Sequence, residues 1–288
     1  MLFGHTHDET QRCTGTSAAG ERKLLPSCII CGRETTPRFS KNFDRTVVDY
    51  CHCSDCGHLT ATDLEALPDY AGGRYFAEID TGWEPRNKRM LEFVRIISRL
   101  PAIAVSRGST ILDFGCGSGS LVHDLNHARF NAFGFEPHPE STVAHKIFAT
   151  PQEAKSAVSC GADLVTCIEV LEHLREPDEM LQIISGLLHP SGYLLISTGL
   201  YSEKVHNENW YYLNPTAGHV SIFSEKSLMT LLRRHQFGPV LRINSTVWLF
   251  RKKLDPAGRL FSEHLYFAVS QGRVKLGLRV NYRTRPKL

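Results

Sequence analysis

Ile111-Leu112-Asp113-Phe114-Gly115-Cys116-Gly117-Ser118-Gly119 is the stretch whose reading decides the fold. Residues 109–114 are short and apolar, which makes a strand, and glycines at alternate positions behind them make a tight turn. Leu121, Val122, Leu125 and Ala128 then recur at helical spacing. A strand that runs through a glycine-rich turn into a helix is the opening unit of a nucleotide-binding sheet. The alternation continues downstream. Residues 131–136 and 163–168 read as strands, and residues 179–188 as a helix with Leu181, Ile184, Leu187 and Leu188 inward. Pro190-Ser191-Gly192 turns into a strand over 193–197, and Ser224 caps a helix bearing Leu228, Leu231 and Leu232. Upstream, Leu91, Phe93, Val94, Ile96, Ile97 and Leu100 line a helical face that Pro101 closes. The pattern predicts an α/β fold with a Rossmann-like, doubly wound, mostly parallel sheet.

The spacing of the glycines selects among nucleotides. A dinucleotide fingerprint is G-x-G-x-x-G, with its third glycine supporting a pyrophosphate at the helix N-terminus. Here the spacing is G-x-G-x-G, and Asp113 precedes the first glycine. A carboxylate there repels phosphate and suits a cationic amino-acid portion. Glu136 lies at the end of the next strand, where a carboxylate can take both hydroxyls of a ribose. The pattern favours S-adenosylmethionine (SAM) over NAD.

On these residues the chain resembles the class I SAM-dependent methyltransferases, with 111–119 similar to their motif I and Glu136 to their ribose acid. Residues 163–174, ending Glu169-Val-Leu-Glu172-His173-Leu174, resemble the "VLEHL" signature of the branch acting mainly on small molecules. Residues 190–197 resemble the "PGGxLLIS" strand that follows it. The resemblance spans about 109–240 and implies roles. Gly115, Gly117 and Gly119 should line the methionine moiety with Asp113 near its ammonium, Glu136 should bind the ribose, and the segment around Thr150 should border the adenine. Ile168 and Glu169 should close the site from beneath. A similar E-x-x-E-H run supports a divalent metal in ubiquinone-pathway O-methyltransferases; the other reading is that Glu172 and His173 only cap the following helix and tie the loop down. Deoxysugar C-methyltransferases share the N-terminal cysteine pattern described next but carry a further large domain, for which this chain is expected to be too short.

Nine cysteines occur, five of them between 28 and 56. Cys28-Ile-Ile-Cys31 and Cys53-Ser-Asp-Cys56 are two C-x2-C pairs, each followed by glycine, and four thiolates on two turns suit tetrahedral Zn2+ with no open position. Cys51, His52 and His58 stand close enough to compete, but Cys51 would break the spacing. The expectation is a structural zinc ribbon held by Cys28, Cys31, Cys53 and Cys56.

Transfer from a sulfonium requires an aligned nucleophile and a group to take its proton. His219 and His173 are the candidate bases. Residues 210–224 are rich in aromatics and resemble the segment that covers the acceptor pocket in small-molecule relatives; Tyr70, Tyr75 and Phe76 are candidate lid residues. After the strand ending at Ile168 there is neither an Asn/Asp-Pro-Pro-aromatic run nor a Pro-Cys nucleophile, which argues against base-amino and cytosine C5 methylation.

Composition sets the outer bounds. The chain has 288 residues, 42% hydrophobic and 22% charged, enough for a sizeable core. A net charge of +3 does not mark a dedicated nucleic-acid binder. No apolar run approaches the roughly 18 residues of a membrane span, and no apolar signal segment opens the chain, so a cytoplasmic enzyme is expected. The expected organisation is a disordered lead over 1–26, the ribbon over 27–60, a helical lid or linker over 61–108, the SAM-binding domain over 109–270 and a basic tail over 271–288. The expected function is methyl transfer to a small-molecule or sugar-type acceptor, O-methylation favoured. The alternatives are an RNA methyltransferase that uses the ribbon for recognition and a non-catalytic SAM-binding module.

Overall fold

The structure, a computed structural model, describes residues 13–16, 22–43, 46–62, 82–137 and 146–252. The expected lid aromatics Tyr70, Tyr75 and Phe76 and the basic stretch 271–288 lie outside the described residues. Within the expected disordered lead, β1 (Cys13–Thr16) and β2 (Arg22–Leu25) pair as an antiparallel ribbon.

Two sheets carry the rest. The larger has the order β13-β14-β10-β9-β6-β7-β8. Its strands are β6 (Thr110–Phe114), β7 (Asn131–Phe135), β8 (Ile147–Phe148), β9 (Ala162–Ile168), β10 (Leu188–Ser197), β13 (Phe237–Arg242) and β14 (Val247–Lys252). From β8 through β10 the pairing is parallel, and β14 and β13 close the edge antiparallel. The chain leaves β6 toward β7 and returns on the other side as β9, so a crevice opens at their C-terminal ends, where open α/β sheets bind ligands. The helices are α1 (Trp83–Ile97), α2 (Ser120–His127), α3 (Pro151–Ala157), α4 (Pro177–Leu187) and α5 (Glu225–Arg234). Ser224 caps α5 through the amide of Ser227. The expected turn at Pro190–Gly192 instead lies inside β10, as a break in register between Leu188 and Tyr193.

The second sheet has the order β11-β12-β5-β4-β3: Leu200–Tyr201, Ser221–Ser224, Leu59–Ala61, Thr46–His52 and Thr36–Phe43 respectively. Three strands come from the cysteine-rich segment and two from beyond β10, so the two expected domains share one sheet. They also share a core: Cys28, Ile30, Cys53 and Cys56 pack in one apolar cluster with Phe223, Leu228, Leu231 and Trp248.

Candidate active site

The glycine turn is built by backbone conformation. Gly115, Gly117 and Gly119 have φ of +74°, +51° and +76°, the left-handed region that side chains disfavour. A Cβ on Gly115 would lie 2.6 Å from Val170 Cγ2, whereas one on Gly117 would meet nothing within 4 Å. The backbone at Gly117 therefore faces open space, as a cradle for a ligand must. Beside it, the Gly117 amide donates to Glu136 Oε2 at 3.0 Å, and Gly115 and Cys116 donate to the carbonyl of Phe135 at 2.8 and 3.1 Å. Asp113, 5% exposed, accepts from Thr166 Oγ1 at 2.6 Å across the β6–β9 pair. Burial, with the Glu136 charge adding to it, pushes the Asp113 carboxyl up to about 7. Thr150, expected near the adenine, is exposed and engaged in a capping box with Glu153 at the start of α3.

A second cluster forms at the end of β9. Ile168 is the last residue of that strand, half-buried, and Glu169 follows at φ +52°, its amide held by the Ser197 carbonyl. Its carboxylate accepts from Ser197 Oγ at 2.7 Å and from Tyr212 OH at 3.1 Å. Burial and the neighbouring Glu172 charge push Glu169 up to about 7, opposed in part by Ser197, Arg86 of α1 and Tyr212. Glu172 is fully buried and likewise shifted upward, chiefly by burial. Its Oε2 accepts from Thr198 Oγ1 at 3.0 Å, while Oε1 has no hydrogen-bond partner. Two buried carboxyl groups this close favour proton sharing over double ionisation.

Both candidate bases are here. His173 Nδ1 lies 3.2 Å from the Gly218 carbonyl, and His219 Nδ1 lies 2.8 Å from the Tyr212 carbonyl. A carbonyl only accepts, so each bond fixes an Nδ1–H tautomer and makes Nε2 the basic nitrogen. The rings stand 4.9 Å apart, and one ligand atom each from Glu172, His173 and His219 falls within 4.8 Å of the others. Tyr212 packs on His219 with centroids 4.4 Å apart. Tyr211, 78% exposed, is next along the chain, and Trp210 stacks on His206 at 4.0 Å.

The structure thus groups Asp113, Gly115, Gly117, Gly119 and Glu136 at the glycine turn. It groups Glu169, Glu172, His173 and His219 one strand over, the groups meeting where Gly115 packs on Val170. Thr166, Ser197, Thr198 and Tyr50 complete the site without having been singled out from the sequence, while Tyr212 belongs to the aromatic segment expected to cover the acceptor pocket. Thr166 and Ser197 could have been found as polar residues facing the acids from neighbouring strands; Tyr50 and its contact carried no local signal.

The cysteines sit apart from both groups. Cys28, Cys31, Cys53 and Cys56 place their sulfurs within 4.8 Å of one another, with Cys28–Cys56 at 3.5 Å and Cys31–Cys53 at 3.4 Å. The sulfurs of a zinc tetrathiolate are about 3.8 Å apart, as bonds near 2.3 Å require, so the quartet fits that ion. The two turns match: Gly32 donates to the Cys28 carbonyl and Gly57 to that of Cys53, at φ +71° and +74°. The competing residues lie elsewhere. His58 is fully buried against Phe223, and His52 faces Glu203 at 3.6 Å.

A mostly parallel sheet with a glycine turn after β6 and an acid after β7 is the arrangement that class I methyltransferases share with other Rossmann-like folds. The model described as "Methyltransferase domain" matches residues 83–241, more than half of the chain. The chain belongs to this family, within the SAM-dependent class I methyltransferases. It is 31% identical over 111 residues to the ubiquinone biosynthesis O-methyltransferase of Cupriavidus pinatubonensis, spanning 34% of this chain and 45% of that protein. A match of 31% over 103 residues to the Aeromonas salmonicida protein of the same name spans 32% and 43%. The chain therefore spans less than half the length of these curated relatives. Among solved structures, Burkholderia thailandensis 1,6-didemethyltoxoflavin-N1-methyltransferase, with bound 1,6-didemethyltoxoflavin and S-adenosylhomocysteine, aligns at TM-score 0.43. The identity there is 18%, over 75% of this chain and 100% of that one. Among the described residues no helix is long and apolar enough to cross a membrane.

Proposed function

We propose that the chain transfers a methyl group from SAM to an oxygen of a small-molecule acceptor, with His219 Nε2 taking the acceptor's proton. The observation that supports this reading is the bond from His219 Nδ1 to the Tyr212 carbonyl, which makes Nε2 the basic nitrogen of a ring clustered with Glu172 and His173, the latter two just past the end of β9. Gly115, Gly117 and Gly119 would hold the methionine portion, Asp113 its ammonium and Glu136 the ribose hydroxyls; two buried carboxylates beside open backbone suit a cationic ligand with paired hydroxyls. The bound sulfonium supplies an electrophilic methyl group. Ile168 and Glu169 would border it from below, and Tyr211 and Tyr212 would offer ring faces to the acceptor. Such residues align and desolvate; the proton moves to His219, with His173 as the second imidazole in reach. The cysteine quartet is read as a structural Zn2+ site, and the likeness to the ubiquinone-pathway enzymes supports a small-molecule acceptor and oxygen as the methylated atom.

A second reading has one specific observation in its favour: a carboxylate oxygen of the fully buried Glu172 lies within 4.8 Å of a ring nitrogen of both His173 and His219. Glu172, His173 and His219 would then hold a divalent cation, which would lower the pKa of an acceptor hydroxyl. The orienting bonds from both Nδ1 atoms to backbone carbonyls suit metal-binding histidines as well as bases.

Labelled SAM incubated with an extract of the source cells, then separated into small-molecule, nucleic-acid and protein fractions, tests the class of acceptor. Label in the small-molecule fraction that survives nuclease is expected. Label that vanishes with ribonuclease would replace this reading with RNA methylation, and a SAM-binding protein that labels no fraction would make the chain a binding module. His219→Asn should reduce transfer by about 10^2 to 10^4. Loss of transfer on chelation, restored by Mg2+, would select the metal reading.

A further inference from the structure

The sheet built on the cysteine knuckles takes in the strand that follows His219. Strand β12 starts two residues after that histidine and pairs with β5 of the cysteine-rich segment, Ser221 opposite Thr60 and Ile222 opposite Leu59. The peptide between His219 and β12 is clamped from both sides: Ala61 donates its amide to the Val220 carbonyl at 2.8 Å, and the Val220 amide donates to the Glu172 carbonyl at 2.8 Å. Tyr50, fully buried on β4, donates its hydroxyl to the His219 carbonyl at 2.6 Å. Two further contacts come from the second knuckle. His58 Nε2 lies 3.3 Å from Ser221 Oγ, and Ser224 Oγ donates to the Cys56 carbonyl at 2.6 Å.

We propose that Tyr50 is a positioning residue for His219, and that the cysteine ribbon serves the reaction by holding that imidazole in place rather than by recognising a partner. The inference rests on the reading of His219 as the base. Its ring is oriented by the Nδ1 bond to the Tyr212 carbonyl, and its backbone is held by its own amide bond to the Asn214 carbonyl, by the two bonds at Val220 and by Tyr50, the side-chain donor to the His219 carbonyl. The choice of residue follows from reach. From β4 a donor must reach past the intervening strand β5 to meet a carbonyl 169 positions along the chain, and a phenol is a rigid apolar body with a single donor at its tip. Phenylalanine would fill the same volume and leave the carbonyl without that donor. Displacing a reacting group by 1 Å costs about a hundredfold in rate, so a shift of a few tenths of an ångström at His219 is measurable.

The test uses the full chain and needs no acceptor. The imidazole signal of His219 in histidine-labelled protein is assigned by its loss in His219→Asn, then compared between the native chain and Tyr50→Phe. Accessibility of the same ring is read as the rate at which diethyl pyrocarbonate modifies it. The expected result is a displaced His219 signal and a modification rate changed several-fold, with S-adenosylhomocysteine affinity within about twofold, since Asp113 lies on β6 and Glu136 just past β7, both in the other sheet. Once an acceptor is in hand, kcat should fall about tenfold with KM held. A folded Tyr50→Phe protein whose His219 signal and modification rate match the native chain overturns the proposal, even if it melts earlier. Should Tyr50→Phe fail to fold, 3-fluorotyrosine at position 50 keeps the shape and strengthens the donor, and an unmoved His219 signal there is equally fatal. Undiminished transfer by His219→Asn would instead remove the base reading and leave the positional result standing.

Discussion

Asp113 is held by two neighbours of opposite effect, the Thr166 hydroxyl that favours its ionised form and the apolar layers that disfavour it; burial prevails. Its folded pKa of about 7 lies above the ordinary 3.8, so between these values the native state keeps a proton that the unfolded chain has lost. This group's contribution to stability is therefore full below about pH 4, declines as pH rises through that window, and is a net cost above 7. A ligand ammonium beside it favours the ionised form. Affinity for S-adenosylhomocysteine should accordingly rise between pH 6 and 8, by up to about tenfold for a single group. Calorimetry at three pH values checks this, and Asp113→Asn should bind weakly and lose the dependence. A flat profile in the native chain would place the ammonium elsewhere.

At the scale of elements, the turn from β6 to α2 depends on which glycine is replaced. Gly115→Ala combines a left-handed φ with a 2.6 Å approach to Val170, and should destabilise by about 2–4 kcal/mol in urea unfolding. Val170→Ala should recover part of that, because it removes the clash and leaves the backbone strain. Gly117→Ala meets no neighbour, so its stability loss should be smaller while ligand binding suffers as much or more. This turn was legible in the sequence because left-handed φ and close approach both demand glycine at set positions. The knuckles were legible for a similar reason, two C-x2-C pairs with glycine behind each. The edge hairpin of β13 and β14 was not read, since Gly238-Pro239 has the look of a turn and Pro239 falls at a break in the register. Nor was the contact of Tyr50 with His219, which no local pattern encodes. Glu169, His173 and His219 could be singled out as reactive types, but their grouping with Tyr212 depends on how the loop after β11 folds back.

The whole molecule has one consequence that neither expected domain has alone. Because β12 and β11 complete the sheet of the cysteine segment, and the knuckles pack against α5, the two halves should unfold together. Lys226 donates to the Asp55 carbonyl and Arg234 to that of Ile30, adding polar ties from α5 to both knuckles. Scanning calorimetry should give a single transition, and removal of metal should lower it for the entire chain. Purified protein should carry about one zinc, lost on Cys28→Ser with Cys53→Ser. Two separate transitions, with the second indifferent to chelation, would make the ribbon an independent module.

The shared sheet also orders events during synthesis. About 160 residues separate Ala61 from Ser221, a delay of roughly 10–30 s at ribosomal rates of about 5–20 residues per second. Throughout that interval the cysteines have emerged while β5 still lacks its outer neighbour, and an unpaired edge invites wrong pairing. Early capture of an ion would give the nascent chain a rigid knuckle on which the late-made loop docks. The cell's supply of metal at the moment of translation, more than its later abundance, would then govern how much active protein each messenger yields.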